Sequence, residues 1–302
     1  MKGGITMEEG VQKRGELIVV ASAKGGVGKT CLSVNLATAF CKKNIRVSLV
    51  DGDFQFGDVS LSLDLKSSFT MKDILDEGES IDKPSILSYL NHHESGLKVL
   101  AGPDRPEYAD LVTPETIEKV LNTLLEEHHY VLVDCGVGFH ENNLKMLDMA
   151  DRVLLVTNLE MSTLKNTRLM LETFETLDIR HKVELVLNRS TMESVIKPND
   201  VVGILNSEEP IYLPNDFQTA SQSLNIGIPF VMNQAKTDLA KAYYKMAERL
   251  YSKREITMFN EKKKSGLFDK LLTKRDVEGE EEKEEAAPKK SLLKPFGRRR
   301  ST

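Results

Sequence analysis

The chain has 302 residues, 40% of them hydrophobic, and a net charge of −5, enough to bury a full core in one large or two small domains. Cys31, Cys41 and Cys135 show no CxxC spacing, and the six histidines do not pair with them at metal-site intervals, which argues against a disulfide framework or a zinc centre. No stretch approaches the roughly 18 apolar residues of a spanning helix, and the polar start lacks a leader's apolar run, so a cytoplasmic protein is expected.

Residues 1–15 read as a flexible N-terminus. From Glu16 to about Tyr251, short aliphatic runs alternate with longer amphipathic stretches, the pattern of βα units around a parallel sheet. LIVVA (17–21) is the first predicted strand, followed by the glycine loop SAKGGVGKT (22–30) and a helix over 30–43. VSLVD (47–51), LKVLA (97–101) and YVLVD (130–134) are further strands, with a helix at 114–128 between the last two. RVLLVT (152–157), a helix at 160–178, VELVLN (183–188) and helices at 194–206, 216–225 and 236–253 complete the series. The continuous apolarity of the strands fits a sheet covered on both faces.

A glycine loop between a strand and a helix is the context in which backbone N–H groups cradle phosphates. Gly25, Gly26, Val27 and Gly28 form the cradle, and Lys29, Thr30 and Cys31 open the helix. Lys29 is placed to span the β- and γ-phosphates of a nucleotide, and the Thr30 hydroxyl to ligate Mg²⁺. YVLVDCG (130–136) ends a buried strand in Asp134, the carboxylate of a Walker B motif that holds Mg²⁺ through water. One lysine, Lys24, has no part in an ordinary phosphate loop, and the loop's usual first glycine is Ala23.

KGGVGKT resembles the deviant Walker A motif of the MinD/ParA ATPases, whose signature is that early lysine. The resemblance implies ATP and Mg²⁺ as ligands and a nucleotide-sandwich homodimer in which Lys24 reaches the partner's phosphates. It also implies a mostly parallel, doubly wound P-loop NTPase sheet with helices on both faces, a single α/β domain at 16–254. VDGDFQFGD (50–58) resembles the family's second acidic motif, making Asp51 a holder of metal-bound water and Asp53 the residue that orients the attacking water. By the same resemblance the catalytic set is Lys24, Lys29 and Asp53, and the metal set is Thr30, Asp51 and Asp134. TNLEMST (157–163) matches the dimer-contact segment through Glu160 and Ser162. Asn188 matches an adenine-binding asparagine, although an Asn at a strand end is also a common turn former. Pro214, Asn215 and Asp216 match the loop lining adenine and ribose. Gly136 departs from the family, which usually has proline there, and keeps open a scaffold that binds nucleotide with negligible turnover.

VDGDFQFGDVSLSLDL, LKVLAGP and LPNDFQTASQSLNIGIPFV look most like the CpaE/TadZ branch, which positions pilus and type II/IV secretion machinery. The resemblance implies a slow ATPase acting as a positional switch, with a protein partner in that machinery or a hydrolysis activator; MinD-like septum placement and ParA-type DNA partitioning are the alternatives. Residues 255–302 read as a charged, mostly disordered tail. Residues 261–302 hold 13 Lys/Arg against 9 Asp/Glu, or +4, leaving −9 of the −5 total on the rest. Within it, Leu267, Phe268, Leu271 and Leu272 share one arc of a helix over 262–275, with Lys263, Lys270 and Lys274 mostly opposite, and KKSLLKPFGRRR (289–300) is a weaker second such stretch. These segments suit an anionic membrane surface, or form a solvated tail. Lys241, Lys245, Arg249 and Lys253 repeat every four residues, as a DNA-tracking stripe or an ordinary solvated helix face.

Overall fold

The computed structural model describes residues 14–41, 45–78 and 80–251. The tail and both of its basic segments lie outside the described residues, as does Lys253. Contacts divide the chain into residues 1–248 and 249–302, and the whole sheet belongs to the first unit.

Eight strands form the sheet: β1 (Glu16–Ala21), β2 (Val47–Gly52), β3 (Asn91–His92), β4 (Lys98–Leu100), β5 (Tyr130–Cys135), β6 (Arg152–Thr157), β7 (Val183–Leu187) and β8 (Ile211–Tyr212). Their order is β3-β4-β2-β5-β1-β6-β7-β8, parallel throughout except for the β3–β4 edge pair. All six predicted strands form, at nearly the expected bounds. β2 and β5 are buried along their whole length, and β1 and β6 at every position after the first, as continuous apolarity requires of strands sandwiched between helices.

Helices α1 (Lys29–Cys41), α2 (Met71–Glu77), α3 (Lys83–Ser88), α4 (Pro114–Glu127), α5 (Glu141–Met149), α6 (Met161–Thr176), α7 (Asp200–Leu205), α8 (Phe217–Ile226) and α9 (Phe230–Asn233) follow, and the chain is helical again from 238 to 251. On one face of β1, Leu17, Val19 and Ala21 join a core with Leu121 and Leu124 of α4, Met146 and Leu147 of α5 and Phe174 of α6. Alternation turns Ile18 and Val20, both fully buried, to the other face. α1 contacts β1, β2 and β5 and is buried at every position from Cys31 to Phe40, as a helix apolar nearly all round should be.

The sequence reading differs from the structure in its short elements. α2, α3, α5, α9, β3 and β8 were not expected, because segments of two to nine residues carry too little periodicity to stand out. The helix expected over 194–206 shrinks to α7. Pro198 disfavours a helical Lys197, and the Lys197 amide donates instead to the Asp200 carboxylate at 2.9 Å.

Parallel strands put every C-terminal end at the same edge of the sheet. The glycine loop, Asp51, Asp134, the 157–163 segment, Asn188 and the 214–216 loop lie at or just after the C-terminal ends of β1, β2, β5, β6, β7 and β8, at that edge. This is where open α/β sheets bind ligands.

Candidate functional site

The glycine loop leaves β1 at Ser22, whose hydroxyl donates to Lys24 O at 2.8 Å. Gly25 and Gly26 are exposed, Val27 is buried, and Gly28 takes a φ of +100°, a conformation that favours glycine. Lys29 begins α1, which places the first amides of a 13-residue helix at the loop.

One turn into α1, two hydroxyls grip a single carboxylate. Thr30 Oγ1 donates to Asp134 Oδ2 at 2.7 Å, and Ser33 Oγ lies 2.9 Å from Asp134 Oδ1 and 3.0 Å from Lys29 O. Thr30 and Ser33 share a helix face because they are three residues apart. That spacing was visible in KTCLS, yet Ser33 was not among the expected site residues.

Asp51 and Asp134 are register partners on β2 and β5, and each is only 2% exposed. Burial raises both carboxyls above their ordinary range. Asp134 raises Asp51 further, while Thr30, Lys29 and Ser33 partly offset the effect at Asp134. Asp51 accepts from the amides of Asp53 (3.3 Å) and Val59 (3.2 Å). The loop that delivers Val59 passes so close that a Cβ on Gly57 would overlap the Asp51 carboxylate.

Among the described residues, no group of three or more His, Cys, Asp or Glu side chains gathers to hold a metal unaided. Two buried carboxylates and a threonine hydroxyl are hard oxygen donors, and their burial favours a compensating cation. That set fits Mg²⁺, which keeps waters and takes its other ligands from phosphate oxygens.

Two cavities bear on the candidate site, and the first is lined partly by the loop's end. One, of about 170 Å³, is lined by Gly28, Cys31, Asn188, Pro214, Asn215 and Asp216, so the expected base-side residues do come together. Arg189, Phe217 and Tyr243 join them, with no motif to announce them. Burial pushes the Cys31 thiol up to about 11, beside the Tyr243 hydroxyl. Asp216 accepts from Thr219 N at 3.0 Å as the N-cap of α8, and Asn188 is bonded within the chain at both ends of its amide.

The second cavity, of about 310 Å³, is lined by Asp53, Phe56, Asp110, Gly136 and His140 among others. Asp53 therefore stands apart from the base side, its Oδ1 accepting from Phe56 N at 3.2 Å.

An AAA domain family model (AAA_31) matches residues 15–187. Over 241 residues the chain is 29% identical to the septum site-determining protein MinD of Synechocystis sp., covering 78% of this chain and 88% of that protein. The chain belongs to the MinD/ParA family of P-loop ATPases. A ParA family ATPase of Chlorobium tepidum has the same fold, with a TM-score of 0.71 at 24% identity, covering 78% of this chain and 98% of that one. So does MinD of Pyrococcus horikoshii, solved with Mg-ADP (TM-score 0.68, 24% identity, 78% and 95% covered).

Two features of this MinD/ParA chain stand out against the family pattern. Lys24 Nζ donates to Ser162 Oγ at 2.9 Å and lies 3.6 Å from the Glu160 carboxylate, so the signature lysine and the 157–163 segment meet within one chain. Gly136 does not occupy the left-handed region, and a Cβ there would make an ordinary 3.4 Å contact with Asn143. Buried Asn143 donates to Gly138 O at 3.0 Å and Val137 O at 3.4 Å, bracing the loop that lacks the family's proline.

Proposed function

We propose that this chain is an ATP-driven positional switch: Mg²⁺ and ATP favour a sandwich homodimer, and slow hydrolysis releases it. The observation that carries the reading is the Thr30–Asp134–Asp51 oxygen set beside Lys29, with Lys24 at the loop's exposed entry. Lys29 and the amides of Gly25, Gly26, Val27, Gly28, Thr30 and Cys31 hold the phosphates, and Thr30, Asp51 and Asp134 hold the metal and its waters. Asp53 orients the attacking water, and Lys24 supplies a cation in trans. Asn188, Pro214, Asn215 and Asp216 receive adenine and ribose.

The ATPase domain is assigned to 16–254, between an N-terminal segment at 1–15 and the charged tail at 255–302. No described helix is long and apolar enough to cross a membrane. Attachment to the inner face of the cell membrane is assigned to the 262–275 segment, doubled by dimerisation.

Two readings of the positioned machine remain. The CpaE/TadZ-like segments support pilus or secretion assembly, and similarity to MinD of Synechocystis supports septum placement. Genes adjacent to this one separate them: pilus or secretion ATPases against division-site proteins. DNA partitioning has less support, since Lys241 is paired with Asp238 at 2.9 Å.

The test is ATP affinity by calorimetry, with phosphate release and sedimentation in Mg-ATP, wild type against Lys29→Ala. ATP-dependent dimers and turnover, both lost in Lys29→Ala, are expected. Unchanged ATP affinity in Lys29→Ala overturns the phosphate-loop assignment, and dimers without turnover favour the scaffold.

A further inference from the structure

Asn188, at the end of β7, is tied to the phosphate loop. Its Nδ2 donates to Val27 O at 2.8 Å, and its Oδ1 accepts from the Arg189 amide at 2.9 Å. Arg189 holds a left-handed φ of +54°, uncommon for a side-chain-bearing residue, and its Nη2 reaches Gly26 O at 3.5 Å. Two consecutive residues of β7's end thus hold two consecutive carbonyls of the loop.

A trans peptide points its C=O and its N–H in opposite directions. With Val27 O turned to Asn188, the Gly28 N–H faces away from Asn188; with Gly26 O turned to Arg189, the Val27 N–H faces away from Arg189. Contact is close: a Cβ on Gly28 would lie 2.5 Å from Asn188 Nδ2. The bonds to Val27 and Arg189 leave the Asn188 amide one free N–H, so a base contact and the loop contact are compatible.

Resting on the phosphate-loop reading above, we propose that Asn188 is a positioning residue for the phosphate loop, presetting the Val27–Gly28 peptide by its bond to Val27 O, and that it strengthens phosphate binding whether or not a base is present. Reading adenine is then the second of its two tasks.

The experiment measures binding of Mg-tripolyphosphate, a phosphate chain without a base, and of Mg-ADP by calorimetry. It compares the wild-type chain, Asn188→Ala and the similarly shaped Asn188→Leu. Both variants should lose about tenfold in affinity for tripolyphosphate, as expected for one hydrogen bond left unmade at the loop, and lose at least as much for ADP. Thermal midpoints without ligand identify which variants fold, and either one suffices. A folded variant that binds tripolyphosphate as wild type does, while losing ADP, overturns the proposal and leaves Asn188 a base contact only. Lys29→Ala separates the two ideas: if it binds tripolyphosphate normally, the phosphate-loop reading itself fails.

Discussion

Lys24 Nζ is hydrogen-bonded to Ser162 Oγ at 2.9 Å, with the Glu160 carboxylate 3.6 Å away, so the loop's surplus lysine is held within its own subunit. The Lys24 and Glu160 side chains are 43% and 50% exposed, and such pairs are worth about 0–1 kcal/mol. The contact therefore costs little to break, as the trans role proposed for Lys24 requires. Lys24→Ala is expected to bind ATP within about threefold of wild type and to remain monomeric, because single exposed side chains change intrinsic affinity little. Sedimentation velocity with ATP reads this directly, and a Lys24→Ala dimer with normal turnover leaves Lys24 a spectator.

Asp53 lines a cavity distinct from the base side and is fixed by the Phe56 amide at 3.2 Å. If it orients water, Asp53→Ala should slow phosphate release by about 10²–10⁴-fold while ATP still binds and the dimer persists. Unchanged turnover removes it from the mechanism.

Arg152 sits between Glu16 and Glu184 where β1, β6 and β7 begin, bonded to Glu16 at 3.0 Å and to Glu184, with all three side chains under 20% exposed. Arg152→Leu removes the shared cation and leaves two mostly buried carboxylates facing each other. A loss of about 3–5 kcal/mol in urea unfolding is expected. Restoration by adding Glu16→Gln and Glu184→Gln would trace the loss to charge rather than to packing.

His128 is 4% exposed and donates through Nδ1 to Leu124 O at 3.0 Å. Burial lowers its pKa below the ordinary 6.5, with Lys98 and Arg46 acting in the same direction. As pH falls from 6.5, the unfolded chain takes up a proton that the folded chain resists, so this contribution is full above pH 6.5 and declines below it. The raised carboxyls of Asp51 and Asp134 act with the opposite sign. The informative readout is thus wild type against His128→Asn, which keeps the donor. The wild type should lose stability relative to the variant between pH 7.5 and 5.5 in thermal melts, and a pH-independent difference would contradict the assignment.

Much of the fold and of the site was legible beforehand because each signal was local. Continuous apolar runs specify strands buried on both faces, and SAKGGVGKT, VDGD and YVLVD carry their chemistry in contiguous residues. Glycine and proline punctuation was less informative: Gly136 stands where the family usually has proline, and Asn143, seven residues on, braces the loop instead. The short helices and strands were invisible because tertiary packing, not local propensity, sustains them.

What the sequence determined by itself is six of the sheet's eight strands, the phosphate loop and the two acidic strand ends, since each is encoded within a window of about ten residues. Tertiary structure alone decided the partners: Ser33 on Asp134, Lys24 on Ser162 and Asn188 on Val27. Those pairs lie 101, 138 and 161 residues apart, and no periodicity links them. They meet because the parallel strands bring their C-terminal ends to one edge, where the loops and helices of different strands adjoin; at Asp134 burial also demands the partner.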